Sequence, residues 1–476
     1  MRAPMEIKTD AEVANWDVTW TYRPAVIARP ETVDDIIEVL TNRERFPSPV
    51  RPAGSRHSTA RVNGDDGGTI IDMTGMNRIL KIERDRVTVE GGAEHLHVSR
   101  ELRRHGLQLH ITTEIGNTTL AAMAVAASKD ASFPGEYGQI NSYVTGVRLV
   151  TPKGEIREIT EDDNPQEMRL VRSSYGLTGV VFEVTIRCKP TQAIAVRHVE
   201  HSLAEFKAKI PEYDRAGNSV MYYLFPYKER IIVELRKYNP HAEPKARLIW
   251  AYRNLFWRKY GPAMSLLAKR LTGNPAHQAR LMDFNDLLLR RGAVWLVRSQ
   301  RSWPHAQTIN YPQHPGANKY VFSMWSFPED CYFEILERYF KFCQNHMRRT
   351  GYRADIPHVG YRIAQDDNSL LSYSRDGMTM SIDPASTGGE EWEEFLLAYN
   401  KFCSAEGGIP LLNQTPFLKP EQVRKAFGER VDELEAYRRK WDPENRMLDS
   451  YFREMLTEPA KDRAKDTSVV HQAPPQ

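Results

Sequence analysis

Cysteine is scarce in this chain of 476 residues. Its four cysteines, Cys188, Cys331, Cys343 and Cys403, are scattered, with no CxxC pair. That argues against a structural zinc site and against a secreted disulfide scaffold. Long apolar runs are lacking too, since none approaches the roughly 18–20 residues that a spanning helix needs. The opening MRAPMEIKTDAEVANW has no apolar stretch of the signal-peptide kind. A net charge of +3 is too small to imply nucleic acid as a partner. No internal repeat is evident. These absences predict a cytoplasmic protein that meets a membrane, if at all, only at its surface.

What is present is an ordinary globular composition, 41% hydrophobic and 27% charged, in a chain long enough for two or three domains. Residues 30–47 read as a helix. Thr32 and Asp35 have capping-box spacing, and Val33, Ile36, Ile37 and Leu40 form one apolar face. Strand-like runs follow at 69–73, 79–83 and 87–92. A short helix then closes at Gly106, and VTGVRLV–TPKG–EIREIT reads as a hairpin. In GVVFEVTIRCKP, Val180, Phe182, Val184 and Ile186 alternate with more polar neighbours up to Pro190, a half-buried strand. Strands and short helices mix through residues 1–190, an α+β pattern. Further on, 219–236 reads as two strands around a turn. Helices are expected at 329–350 and 390–405, and in two pieces over 420–457. The polar tail 458–476 reads as disordered.

Residues 52–59 read PAGSRHST. A glycine among small residues lets successive backbone N–H groups converge on an anion, and Ser55, Ser58 and Thr59 add hydroxyls. Such a turn suits a phosphate. The histidine inside it, His57, needs a separate reason.

Together with its surroundings this turn resembles a known family. The matching stretches are NW (15–16), RP (29–30), AGSRHS (53–58), IDMTGMNRIL (71–80), VTVEGGA (87–93), HGLQL (105–109), VTGVRLVTPKGEI (144–156) and SSYGLTGVVFEVTIRCKP (173–190). They resemble the FAD-binding domain of the vanillyl-alcohol-oxidase superfamily, also called PCMH-type. RRKWDPENRMLDSYF (438–452) resembles the closing segment of the aldonolactone and alditol oxidases. The resemblance implies an α+β fold: a two-part FAD-binding domain over 1–192, an α+β substrate or cap domain over 193–418, and a segment over 419–457 that returns to the FAD domain. It implies that Ala53, Gly54, Ser55, Arg56, His57 and Ser58 wrap the FAD pyrophosphate. It also implies that His57 carries the flavin covalently through the 8α-methyl, as a histidine does in alditol and gulonolactone oxidases. Ala127 and Ser128 are expected to approach the flavin, with Gly138 in the same segment. Gly176, Gly179 and Val180 match the stretch that contacts the adenosine half. The histidine–glycine pair usual in that segment is replaced here by Lys129–Asp130.

On the substrate side, HVGYRIAQDDNSLLS (358–372) keeps the arginine of a Glu-x-Arg element as Arg362 but puts Gly360 in the glutamate's place. Gln414 stands where relatives have a lysine. Glutamine can position a hydroxyl but cannot act as a general base. Arg362 and Gln414 are therefore expected to line the substrate pocket. His358, Asp383 and Tyr361 are candidates, by residue type, for taking the hydroxyl proton.

From Pro244 to Met282 there is no Asp or Glu, while Lys and Arg alternate with Trp, Tyr and Phe. Residues 245–270 are expected to meet an anionic membrane surface. A helical insert on the cap with a solvated basic face is the plainer alternative.

The leading expectation is an FAD-dependent oxidoreductase that removes a hydride from a CH–OH group. Its donor would be a sugar, alditol, aldonolactone or lipid-linked polyol, and oxygen or a quinone its electron acceptor. A flavin-dependent C=C reductase like the sterol Δ24-reductases is the first alternative, and a non-catalytic membrane-surface flavoprotein the second.

Overall fold

The computed structural model describes residues 4–244, 252, 255, 260–298, 300–304 and 319–457. Most of the basic segment 245–259 and the tail 458–476 lie outside the described residues.

Three sheets carry the fold. The first has the strand order Glu6–Thr9, Val26–Arg29, Thr69–Asp72, Val50–Ala53, the last three parallel. The second runs Ile156–Thr160, Val144–Val150, Val180–Pro190, Arg86–Glu90, Ile79–Ile82, with Leu107–Leu109 added to the long strand. The third has nine strands. Its centre is the hairpin Ser219–Phe225 and Arg230–Tyr238, followed by Ile356–Ile363 and Thr379–Ser386.

Local chemistry sets the element ends. The Thr32 hydroxyl accepts from the Asp35 amide and the Asp35 carboxylate accepts from Thr32 N–H, so Asp completes the capping box in place of Glu. That helix is Val33–Thr41, shorter than 30–47, because the chain turns off at Asn42 ahead of Pro47. The segment 420–457 forms three helices rather than two, Pro420–Phe427, Arg430–Trp441 and Ser450–Leu456, the first break falling at Gly428 with φ +54.

The last of these segments is fastened to the first sheet. Arg446 donates to Leu40 O and Val39 O, the free carbonyls at the end of helix Val33–Thr41. The Asp442 carboxylate accepts from Arg446 N and Met447 N. Arg51 on the first sheet pairs with Asp449 at 2.9 Å, both fully buried.

The nine-stranded sheet is buried on both faces. On one lie the helices Glu329–Thr350 and Glu390–Ala405, whose Tyr332, Tyr339, Trp392 and Tyr399 pack with Tyr222, Met380 and Ile382 of the sheet. The opposite face, with Tyr223 and Tyr361, looks into a cleft shared with the first two sheets.

Candidate functional site

The cleft measures about 1900 Å³ including the solvent at its mouth. Its walls come from the turn 51–58, from 113–129, from Tyr175, Gly176 and Gly179, and from 356–361, Asp383 and 411–414.

The turn is held from two sides. Trp16 N donates to Arg56 O at 2.9 Å and Asn15 Nδ2 to Ser58 O at 3.1 Å. From the far end of the chain, Gln414 Oε1 accepts from Thr59 N and Oγ1, and its Nε2 donates to His57 O at 3.4 Å. Arg56 is left-handed, φ +53, a backbone conformation that occurs in anion-binding nests. Only glycine fits at position 54, since a Cβ there would lie 2.1 Å from Thr119 Oγ1. Ala53, Gly54, Ser55, Arg56, His57 and Ser58 all line the cleft, as do Ala127, Ser128, Gly176 and Gly179.

His57 is buried and its ring sits 5.5 Å from that of Trp16. Neither ring nitrogen has a hydrogen-bond partner among the described residues. Burial, with the Arg56 charge beside it, pushes its pKa down to about 4. The imidazole is therefore neutral near pH 7, its lone pair unused and facing the cleft. An orphaned, buried nucleophile beside an anion-binding turn fits a flavin dinucleotide.

Two of the expected cofactor contacts fall outside the cleft wall. Val180 packs in the apolar cluster with Val150 and Phe182. Gly138 packs against Asp130 and Ser132, and a Cβ there would lie 2.7 Å from Asp130 O.

The substrate end needs larger corrections, all with one cause. In strand Ile356–Ile363 alternate residues face opposite ways. Pro357, Val359 and Tyr361 face the cleft. His358, Gly360 and Arg362 face the helices. His358 is fully buried there, Nδ1 2.6 Å from the Tyr339 hydroxyl, and burial pushes its pKa to about 3. Arg362 pairs with Glu329 at 2.6 Å and with Asp214. Neither residue lines the cleft. Gly360 is required because the Tyr222 ring covers it, leaving 1.9 Å to an added Cβ. Gln414 does line the cleft, but its amide is occupied in holding the turn.

Asp383 and Tyr361 are at the cleft, and with them is Lys129. The Lys129 Nζ lies 2.9 and 2.8 Å from the two Asp383 oxygens, both side chains buried. It also sits 5.1 Å from the Tyr361 ring centroid and 5.9 Å from that of Tyr373. Burial pushes Asp383 up to about 6 although Lys129 opposes it, and burial lowers Lys129 although Asp383 opposes that. Tyr223, Val359 and Asp383 stand in register across three strands and form one row on the cleft wall. Asp130 points the other way, onto Arg236 at 2.9 Å. The sequence marked Lys129 only as a departure, and Tyr223, Glu114 and Asn413 of the wall carried no signal at all. Counting strand alternation from Tyr361 would have excluded His358 and Arg362.

Comparison with known proteins bears on the family and the fold. A family model described as FAD binding domain matches residues 24–160, and one described as D-arabinono-1,4-lactone oxidase matches residues 184–455. The chain is 23% identical over 447 residues to an L-gulono-1,4-lactone dehydrogenase of Mycobacterium tuberculosis, covering 93% of this chain and 98% of that protein. It is also 23% identical over 452 residues to the L-gulonolactone oxidase of Mus musculus, covering 93% and 97%. Among solved structures, a cholesterol oxidase from B. sterolicum superposes with TM-score 0.73 at 14% identity, covering 95% of this chain and 98% of the other, a likeness of fold. The fold is thus a PCMH-type FAD-binding domain with an α+β cap and a C-terminal segment that returns to the FAD domain. Cleft, turn and family match together make this chain an FAD-linked oxidoreductase belonging to the D-arabinono-1,4-lactone oxidase family.

Proposed function

We propose that the protein oxidises a CH–OH group of an aldonolactone, sugar, alditol or lipid-linked polyol, with Asp383 taking the hydroxyl proton. The observation that carries this reading is the buried Lys129–Asp383 pair on the same cleft as the FAD turn. FAD, when bound, supplies the two-electron acceptor for the donor carbon. Asp383 offers a carboxylate with a pKa near neutrality, as a general base requires. Lys129 fixes that carboxylate and is placed to hydrogen-bond the donor oxygen. Tyr361, Tyr223 and Val359 supply an apolar wall that excludes water around the pair.

His57 is proposed to hold the flavin covalently. That bond would join an imidazole nitrogen of His57 to the 8α carbon in place of one C–H and the ring N–H, and the two protons and two electrons released would go to the oxygen or quinone acceptor. The ranges 1–192, 193–418 and 419–457 are proposed as FAD-binding domain, cap domain and closing segment. Peripheral contact with a membrane belongs to the same reading, because a lipid-linked donor or a quinone is met at a bilayer. Among the described residues no helix is long and apolar enough to cross one.

The C=C reductase alternative rests on the membrane-like segment 245–270 and on the lysine missing at position 414. Lys129 supplies an ammonium to the cleft from another element, which weakens the second argument. The deciding experiment is anaerobic mixing of the holoenzyme with aldonolactones, alditols and lipid-linked polyols, and separately with NAD(P)H, while the flavin absorbance is followed. Bleaching by a hydroxyl donor is the expected result. Bleaching by NAD(P)H alone, with reoxidation by an alkene, would replace this reading with the reductase.

A further inference from the structure

Helix Pro275–Leu296 has two unlike faces. Met282, Asn285, Leu289 and Ala293 are buried, Leu289 and Ala293 in the same apolar cluster as Tyr223 and Tyr361 of the cleft wall. The other face repeats at helical spacing. Leu281, Phe284, Leu288 and Trp295 follow one another at intervals of three, four and seven residues, with Leu287 beside them. All five are exposed, Phe284 at 59% and Trp295 at 71%. Exposed apolar residues scattered singly need no explanation, but a continuous stripe of them marks a contact surface.

The charges on this helix are sorted in the same way. Arg280 and Arg291 are exposed, and their helical positions fall along the same stripe. The two acids, Asp283 and Asp286, turn to the flanks, where Asp283 pairs with Lys228 and both pair with Arg353. The neighbouring helix Gly261–Leu271 adds exposed Leu267, Arg270 and Leu271. The exposed residues of the two helices thus combine large apolar side chains, a tryptophan and arginines, and the stripe of helix Pro275–Leu296 itself holds no acid. This composition matches the interface of an anionic bilayer, where apolar rings enter the acyl boundary and guanidinium groups meet lipid headgroups.

We propose that the face of helix Pro275–Leu296 built from Leu281, Phe284, Leu287, Leu288 and Trp295, framed by Arg280 and Arg291, docks the enzyme on anionic membrane lipid. The inference deepens the peripheral-membrane part of the proposed function and does not depend on which donor is oxidised. It moves the main contact beyond the segment 245–270. It also places the bilayer one helix away from Tyr223 and Tyr361.

The test is co-sedimentation of the full-length holoenzyme with vesicles of phosphatidylcholine alone or of an equimolar phosphatidylcholine–phosphatidylglycerol mixture. Three proteins are compared: wild type, the triple variant Phe284→Ser, Leu288→Ser, Trp295→Ser, and the charge reversal Arg280→Glu, Arg291→Glu. Flavin absorbance and melting temperature check that each variant is folded. Wild type is expected to sediment with the anionic vesicles only, and to release as salt is added. Both variants are expected to bind at least about tenfold more weakly. Undiminished binding by both variants would leave membrane contact standing and overturn this face as its site. Absence of wild-type binding to anionic vesicles would overturn the membrane contact itself. A wild-type dimer in light scattering that the triple variant makes monomeric, without any vesicle binding, would assign the face to self-association instead. Flavin reduction by a hydroxyl donor is measured apart from all of these, so failure of the oxidation reading registers separately.

Discussion

Lys129 and Asp383, 254 residues apart in the chain, meet as a buried ion pair 2.8 Å apart on the wall of the cleft. Taking both charges out of water is costly, so such a pair is poor evidence of stability alone. Its position on the cleft wall beside Tyr361 supplies a reason for keeping it. The first prediction is that Asp383→Asn slows flavin reduction by the donor about 10²-fold or more while FAD content stays unchanged. A base must be deprotonated to act, and Asp383 lies at about 6. The wild-type reduction rate should therefore rise as pH increases through about 6 and level off above it. Stopped-flow reduction across pH checks both points. A rate in the Asn variant equal to wild type removes Asp383 from the reaction.

His57 should carry flavin into the acid-precipitated pellet, and the peptide containing it should gain the mass of FAD on digestion. Burial pushes its pKa down to about 4, so the ring is neutral and nucleophilic near pH 7. His57→Ala is expected to release all flavin to the supernatant while still binding FAD noncovalently, because the turn at Arg56 is backbone and survives the change. Flavin wholly in the supernatant of fully loaded wild type would show that the link is absent.

Gln414 fastens the turn 53–58 to the cap by accepting from Thr59 and donating to His57 O. Lysine carries only donors, so Gln414→Lys would set an ammonium against the Thr59 N–H. The expected outcome is weaker FAD retention and a loss of about 1–2 kcal/mol in stability, two net hydrogen bonds, whatever the donor. Gln414→Glu keeps the acceptor for Thr59 and should lose less. FAD retained through gel filtration, together with urea midpoints, measures the difference.

Arg362→Ala should leave flavin reduction within about threefold of wild type, because the guanidinium serves Glu329 and Asp214 on the helix side of the sheet. The cost is to stability, about 1–3 kcal/mol, since Glu329 loses a charge-assisted partner. A drop of 10²-fold in reduction with unchanged stability would place Arg362 at the reacting atoms after all.

These contrasts show what the sequence could and could not carry. The capping box at Thr32 and Asp35, the strand ending at Pro190 and the helix closed by Gly106 rest on neighbours in the chain, so they were legible. The same holds for the glycine turn 53–58, which lies on the cleft wall. The assignment of His358 and Arg362 was not. Ile356–Ile363 is a central strand buried on both faces, so hydrophobic alternation gives no sign of which face meets the cleft. That choice is made by the helices Glu329–Thr350 and Glu390–Ala405 on one side, and by the Tyr222 ring over Gly360. The Lys129–Asp383 pair depends on contact between a loop of the FAD domain and a strand of the cap, which no local pattern encodes.

The closing segment offers a last test, through Arg51 and Asp449. Arg51 donates to Tyr175 O at 2.7 Å and to Met447 O at 3.1 Å and pairs with Asp449, which also caps helix Ser450–Leu456 by accepting from Phe452 N. Removing one partner of a buried pair leaves the other charge uncompensated, at a cost of about 3–5 kcal/mol. Arg51→Met should therefore lower stability by that order and expose the chain beyond residue 419 to protease. Adding Asp449→Asn should recover part of the loss, because asparagine is uncharged and still caps the helix. The pH dependence has a definite sign. Burial already holds Asp449 up at about 6, and loss of Arg51 removes a charge that lowers it, so its folded-state value rises further above the unfolded one. A carboxyl raised in the folded state binds its proton more readily there, so stability increases as pH falls through the folded value. The deficit of Arg51→Met relative to wild type should accordingly shrink between about pH 7.5 and 5.5, while the deficit of Arg51→Met relative to Asp449→Asn, measured with Asn at 449 in both, should be flat over that range. Urea midpoints of the three variants at the two pH values decide it. An equal deficit at both would show that the buried Asp449 charge is not what the Arg51 guanidinium compensates.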